Sequence, residues 1–158
     1  MIGWLWAVSV ISEVALFFSA RRLFAHWRPT SMLMLGGAVA IFRWIAMPAI
    51  GEAGFGAPGF FALAVTHAFT FSVSFAATQR LMAERVDEAR IGAAQALMTF
   101  ANGLFLALFT LAGGPLYRLF GAESFAAMSL AGAAGIVLAM LASRSAPEGG
   151  ARRVHQRA

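Results

Sequence analysis

The sequence predicts an all-α protein, an integral membrane helical bundle, and three observations carry that prediction. Apolar residues make up 60% of the 158 and charged residues only 12%, with a mean hydropathy of +0.75; an ordinary soluble domain has about 45–50% and about 25%. Charged residues leave three long gaps, 53–79, 91–117 and 124–143, and each holds the roughly 20 apolar residues that cross a bilayer. The strict apolar/polar alternation of a membrane barrel is missing, so helices remain the way to satisfy backbone N–H and C=O groups in lipid.

Apolar runs read against punctuation give five transmembrane helices, about residues 2–20, 31–50, 59–78, 92–112 and 124–142, within one membrane unit of residues 1–142. The first lacks the basic start and small-residue cleavage site of a signal peptide and reads as a retained helix. Between the second and third, Gly51-Glu-Ala-Gly-Phe-Gly-Ala-Pro-Gly59 is a Gly/Pro turn suited to antiparallel neighbours. Gly113-Gly114-Pro115 is expected to break the chain after the fourth. The fifth is rich in Ala, Gly and Leu, with Ala131 and Gly135 at small-xxx-small spacing, and reads as a packing or lipid-facing helix. Residues 143–158 are short, polar and basic, and are expected to form a disordered cytoplasmic tail.

All twelve basic residues are arginine, and their placement sets the orientation. Arg21, Arg22 and Arg28 fall in the first connection, Arg80, Arg85 and Arg90 in the third, and Arg144, Arg152, Arg153 and Arg157 at the end, whereas the second has none and the fourth only Arg118. Ten arginines thus lie on one side against one on the other, which places the basic side and the C-terminus in the cytoplasm and the N-terminus outside an inner (cytoplasmic) membrane. The same placement explains the net charge of +5 without nucleic acid. An odd number of helices beginning outside needs something to deliver it, so preceding helices are expected.

The chain has no cysteine, which removes disulfides, zinc-thiolate sites and thiol catalysis. It shows no nucleophile with a paired base, no zinc spacing and no Gly-rich phosphate loop. An enzyme, a cofactor and a metal site are therefore not expected.

Ionisable groups at membrane depth are costly and face a bundle interior or a water-filled cavity, so Glu13, Arg43 and His67 are the informative residues. On the expected spans they lie about 17, 10 and 12 Å from the outer end of their helices, compatible with one shared site. Glu13 reads as a proton or cation carrier, or as a carboxyl that stays protonated or pairs with Arg43 purely to hold helices together. Arg43 suits a substrate carboxylate, Glu13, or a snorkelling position. His67 begins a helical stripe with Thr70, Ser74 and Thr78; Ser9 and Ser12 share a face with Glu13; Gln95, Thr99 and Asn102 form another on the fourth span. The alternative for the hydroxyls is bonding back to their own helix. Trp4, Trp6 and Tyr117 read as interface anchors, and Phe69, Phe71 and Phe75 as packing residues.

The run Ile2-Gly-Trp-Leu-Trp-Ala-Val-Ser-Val-Ile-Ser-Glu-Val-Ala-Leu-Phe-Phe18, followed by Arg43-Trp44 and His67, resembles the C-terminal half of major facilitator superfamily transporters, helices eight to twelve. The branch it resembles is that of 3-phenylpropionic acid transporters, related to nucleoside:proton symporters, and Gln95 falls where that branch carries a Gln. The resemblance implies part of a twelve-helix fold in which two six-helix halves rock around a midplane site. It further implies proton-coupled uptake of a small organic anion such as an aromatic acid, by symport. Arg43 would bind the carboxylate, Glu13 would couple the proton, and His67, Thr70, Gln95 and Asn102 would line the site. The expected partners are the lipid bilayer, the substrate with protons, and a missing N-terminal half. The alternative is a small non-transporting membrane protein, an assembly partner or an inactive remnant.

Overall fold

The computed structural model describes residues 1–144, and among them every regular element is helical. Helix α1 is Ile2–Leu23, α2 is Pro29–Glu52, and α3 (Gly56–Ala68) continues through a π-turn at Phe69–Val73 into α4 (Ser74–Arg85). A short 3-10 turn, Glu88–Arg90, leads into α5 (Ile91–Phe120); a second, Gly121–Glu123, leads to α6 (Ser124–Ala127) and then α7 (Ser129–Arg144). The expected tail at 145–158 lies outside the described residues.

Four stretches are long and apolar enough to cross a membrane, against the five that the apolar runs predict: Ile2–Leu23, Pro29–Glu52, Gly56–Arg85 and Glu88–Arg144. The difference lies in the last, a nearly continuous helical stretch of 57 residues. The break expected at Gly113-Gly114-Pro115 does not occur there, because α5 runs through all three residues to Phe120. A transmembrane helix tolerates proline when other groups satisfy the freed backbone atoms. The chain turns instead at Gly121, where φ is +57°, a left-handed conformation that only glycine adopts cheaply. The Gly/Pro turn between α2 and α3 is placed as expected, with Gly54 (φ +72°) and Gly56 (φ +55°) supplying the reversal.

The buried core is small and consists of Leu16 and Ala20 of α1, Phe24 of the first connection, Met32 of α2, Ala68 of α3, Val73 of the π-turn and Ala77 of α4. Large apolar side chains point outward instead, as lipid-facing ones do: Trp4, Trp6, Phe18, Leu106 and Leu111 are each at least 70% exposed. Close backbone approach replaces side-chain burial between helices. A Cβ added at Gly36 would collide with Ser74 Oγ, and one at Gly37 would lie 2.6 Å from Ile136 Cγ1 and 3.0 Å from the Gly132 carbonyl. Helix α7 therefore packs on α2 through Gly132 and Ile136; Gly135 of the expected Ala131/Gly135 pair has open space around it. On the basic side, Arg80 donates to the Phe24 carbonyl at 2.9 Å and approaches Met32 Sδ at 3.5 Å, tying the end of α4 to the α1–α2 connection.

Candidate functional site

The three ionisable residues of the membrane interior meet at one point. His67, near the end of α3, stands between Glu13 of α1 and Arg43 of α2: its Nε2 lies 3.1 Å from Glu13 Oε1, and its Nδ1 lies 2.8 Å from an Arg43 terminal nitrogen. Glu13 is 16% exposed at its side chain and His67 33%. A guanidinium has only donors, so Nδ1 must accept from Arg43, which leaves the proton of a neutral ring on Nε2, donated to the Glu13 carboxylate. One tautomer thus satisfies both contacts. Arg43 does not pair with Glu13 directly, as one of the sequence expectations had it; the imidazole is interposed and takes one partner on each nitrogen.

The guanidinium has capacity to spare. Arg43 Nε is buried without a hydrogen-bond partner among the described residues, and the guanidinium carbon lies 5.0 Å from the ring centroid of its neighbour Trp44. Trp44 in turn stacks on Phe125 at 6.1 Å, and the Tyr117 ring lies tilted against Phe125 at 5.9 Å. An apolar cleft of about 300 Å³ opens among Trp44, Phe109, Tyr117 and Phe125. A longer groove of about 510 Å³ runs between α2 and α7 and reaches Thr70 and Ser74.

The predicted stripe is only partly realised. Thr70 Oγ1 lies 3.4 Å from His67 Nδ1 and donates to the His67 carbonyl at 2.9 Å, so it borders the contact. Ser74 turns toward Gly36 of α2, and Thr78 bonds back to the Ser74 carbonyl at 2.8 Å. The π-turn interrupts the regular spacing and brings in a residue that the 3.6-residue period passes over. Ser72, fully buried, donates to the Glu13 carbonyl of α1 at 3.3 Å. Ser9 makes a second contact between the same helices, to the Ala64 carbonyl at 3.2 Å, shared with its own-helix bond to Leu5. Ser12 donates to the Val8 carbonyl of its own helix at 2.8 Å and to nothing else among the described residues. His67, Phe71 and Phe75 stack in sequence, and Phe17 meets Phe75 edge-on.

Gln95 and Asn102 are not brought to this point. Both are exposed on α5; Gln95 donates to Gln79 at 3.4 Å, and Asn102 has no hydrogen bond among the described residues. Their even helical spacing suggests convergence, but α5 has no buried residue and packs mainly against the elements that flank it in the chain.

The geometry of a carboxylate, imidazole and guanidinium held in series by three membrane helices can be set beside known proteins. A family model, described as the MFS_1 like family, matches residues 1–127. The chain belongs to this family. Glu13, Arg43, His67 and Thr70 all lie within the matched residues of this major facilitator-like chain. An Escherichia coli (strain K12) protein named "Probable 3-phenylpropionic acid transporter" is 28% identical to it over 129 residues, which is 82% of this chain and 33% of that protein. The chain thus spans about a third of the length of the relative it matches. No solved structure matches it. The membership makes this a multi-pass membrane protein of a transporter family.

Proposed function

We propose that this chain forms the C-terminal part of a secondary transporter that takes up a small organic anion, such as an aromatic acid, together with protons across the inner membrane. In this reading the N-terminus is outside, the C-terminus is cytoplasmic, and a missing N-terminal half supplies the other wall of the cavity. The observation that carries it is His67, bridging Glu13 and Arg43 through its two ring nitrogens.

The coupling follows from charge. With a neutral imidazole, Glu13 and Arg43 balance each other across it. An anion that engages Arg43 draws the guanidinium away from Nδ1, and that nitrogen is then free to take a proton. The imidazolium pairs with Glu13 while the anion pairs with Arg43, so the site remains neutral. Anion alone or proton alone leaves an unbalanced charge in a weakly screening environment, which costs several kcal/mol by order of magnitude. Proton and anion therefore enter together, as symport requires. The unpartnered Arg43 Nε–H and a terminal nitrogen form a fork suited to a carboxylate. Thr70 borders the imidazole, and the aromatic cleft beside Trp44 suits an aryl group. Gln95 and Asn102 join the site only if α5 repacks against α3 within this half, a movement separate from the rocking of one half against the other.

Uptake of labelled 3-phenylpropionate, measured with the complete transporter under an imposed pH gradient, tests the proposal. Gradient-driven uptake is expected to disappear in Glu13→Gln and in Arg43→Ala. Uptake that remains gradient-driven in both variants would overturn the assignment.

A further inference from the structure

The π-turn at Phe69–Val73 carries the inference. Such turns insert one extra residue into an α-helix and are frequent at functional sites. The segment contains neither proline nor glycine, so nothing in its local chemistry demands a break. What it does is visible in the burial pattern. Ala64, Ala68, Val73 and Ala77 are all at most 7% exposed, and their spacing is four, five, four. In an uninterrupted α-helix the five-residue step would carry Val73 and Ala77 about 100° further round. The π-turn absorbs that step and keeps the upstream half, with His67, and the downstream half, with Arg80, on one register. In that register Ser72 faces α1 and its hydroxyl meets the carbonyl of Glu13 itself, while Arg80 meets the carbonyl of Phe24 at the end of the same helix.

We propose that the π-turn is a register device whose product is the Glu13–His67 contact, with Ser72 as the positioning residue. Ser72 does not touch the carboxylate or the imidazole. It fixes the backbone from which the carboxylate projects, one helical turn along from His67. Ser9, bonded to the Ala64 carbonyl, fixes the other side of the crossing, so the Glu13–His67 contact is bracketed by two hydroxyl-to-carbonyl bonds between α1 and the α3–π–α4 helix. A buried hydroxyl that loses its acceptor costs free energy, which ties the turn's conformation to the position of α1. The inference rests on the contact geometry and stands or falls whether or not the chain moves an anion.

The test uses the 158-residue chain in lipid vesicles with His26 and His155 replaced by Gln, so that His67 is the one imidazole. Solid-state NMR on nitrogen- and carbon-labelled protein reads the cross-peak between His67 Nε2 and the Glu13 carboxyl carbon. Ser72→Ala is expected to reduce the ratio of paired to unpaired molecules about threefold or more, read as a weaker cross-peak, the change that loss of one hydrogen bond of ordinary net strength produces. Ser72→Thr, which keeps the donor, is expected to retain the cross-peak, and Ser19→Ala, which removes a bond internal to α1, to leave it unchanged. A full-strength cross-peak in Ser72→Ala overturns the proposal. If Ser72→Ala does not fold, the unsubstituted chain decides: a through-space contact between the Ser72 side chain and the Glu13 carbonyl carbon supports the register, and its absence overturns it.

Discussion

The helices α1 to α4 and the helix α5 carry similar sets of polar residues and treat them differently. Around His67, polar groups from three helices are bonded across helix boundaries: Glu13 and Arg43 to the imidazole, Ser72 and Ser9 to carbonyls of a neighbouring helix. On α5, Gln95, Thr99 and Asn102 also share a helical face, yet all three are exposed, and no hydrogen bond or ion pair among the described residues joins them to Glu13, Arg43 or His67. A polar residue at membrane depth is evidence of a requirement for a partner; which partner it has depends on packing. In the first region small residues allow helices to approach closely, as Gly36 does against Ser74 and the Phe69 carbonyl. Helix α5 presents Leu97, Phe100, Leu104 and Leu108, all exposed, and Gly103, with nothing within reach of an added Cβ.

The comparison breaks most easily at Arg43. On the proposed function, Arg43→Ala reduces 3-phenylpropionate affinity by roughly tenfold or more, the scale of a charge-assisted hydrogen bond, as read by equilibrium binding to the complete transporter in vesicles. Arg43→Lys is expected to recover only part of it, because an ammonium lacks the planar fork. Stability is the next contrast. Gly36→Leu, forced against Ser74 and the Phe69 carbonyl, is expected to destabilise the bundle by about 1–3 kcal/mol, whereas Gly103→Leu on α5 costs nothing by clash. Thermal unfolding in detergent compares the two, and equal losses would show that the open surroundings of α5 are occupied in the membrane. Arg80→Ala removes the donor to the Phe24 carbonyl and is expected to cost about 1.5–3 kcal/mol and to speed proteolysis in the α1–α2 connection. The smallest effect belongs to Asn102→Leu, expected to stay within about 0.5 kcal/mol in this chain; a larger loss would place Asn102 in a contact that the comparison denies it.

Much of this was legible in the sequence because it depends on solvent rather than on packing. Long uncharged gaps and the need to satisfy backbone groups in lipid suffice for a helical membrane bundle. The cost of burying Glu13, Arg43 and His67 singles them out before any geometry is known. Which of them touch is a matter of register, and the π-turn shifts register without a sequence signal: Phe69-Thr-Phe-Ser-Val73 reads as ordinary helix. Ser72 therefore carries no signal in the sequence, and the stripe of His67, Thr70, Ser74 and Thr78 that the spacing predicts is divided by the turn. The stop after α5 differs from the expected one for a related reason. Gly113-Gly114-Pro115 has the composition of a turn, but in lipid an unbroken backbone ladder outweighs the local preference, and the turn falls at Gly121.

The most direct test of the proposed coupling is to mix 3-phenylpropionate, the substrate proposed above, with the purified complete transporter in weakly buffered solution near neutral pH and follow a pH indicator. The account predicts that bound anion brings protons with it, so the solution becomes more alkaline as the site fills, and that His67→Ala and Arg43→Ala each abolish the change. Anion binding without proton uptake, or proton uptake that persists in Arg43→Ala, would contradict a site in which one imidazole links carboxylate and guanidinium.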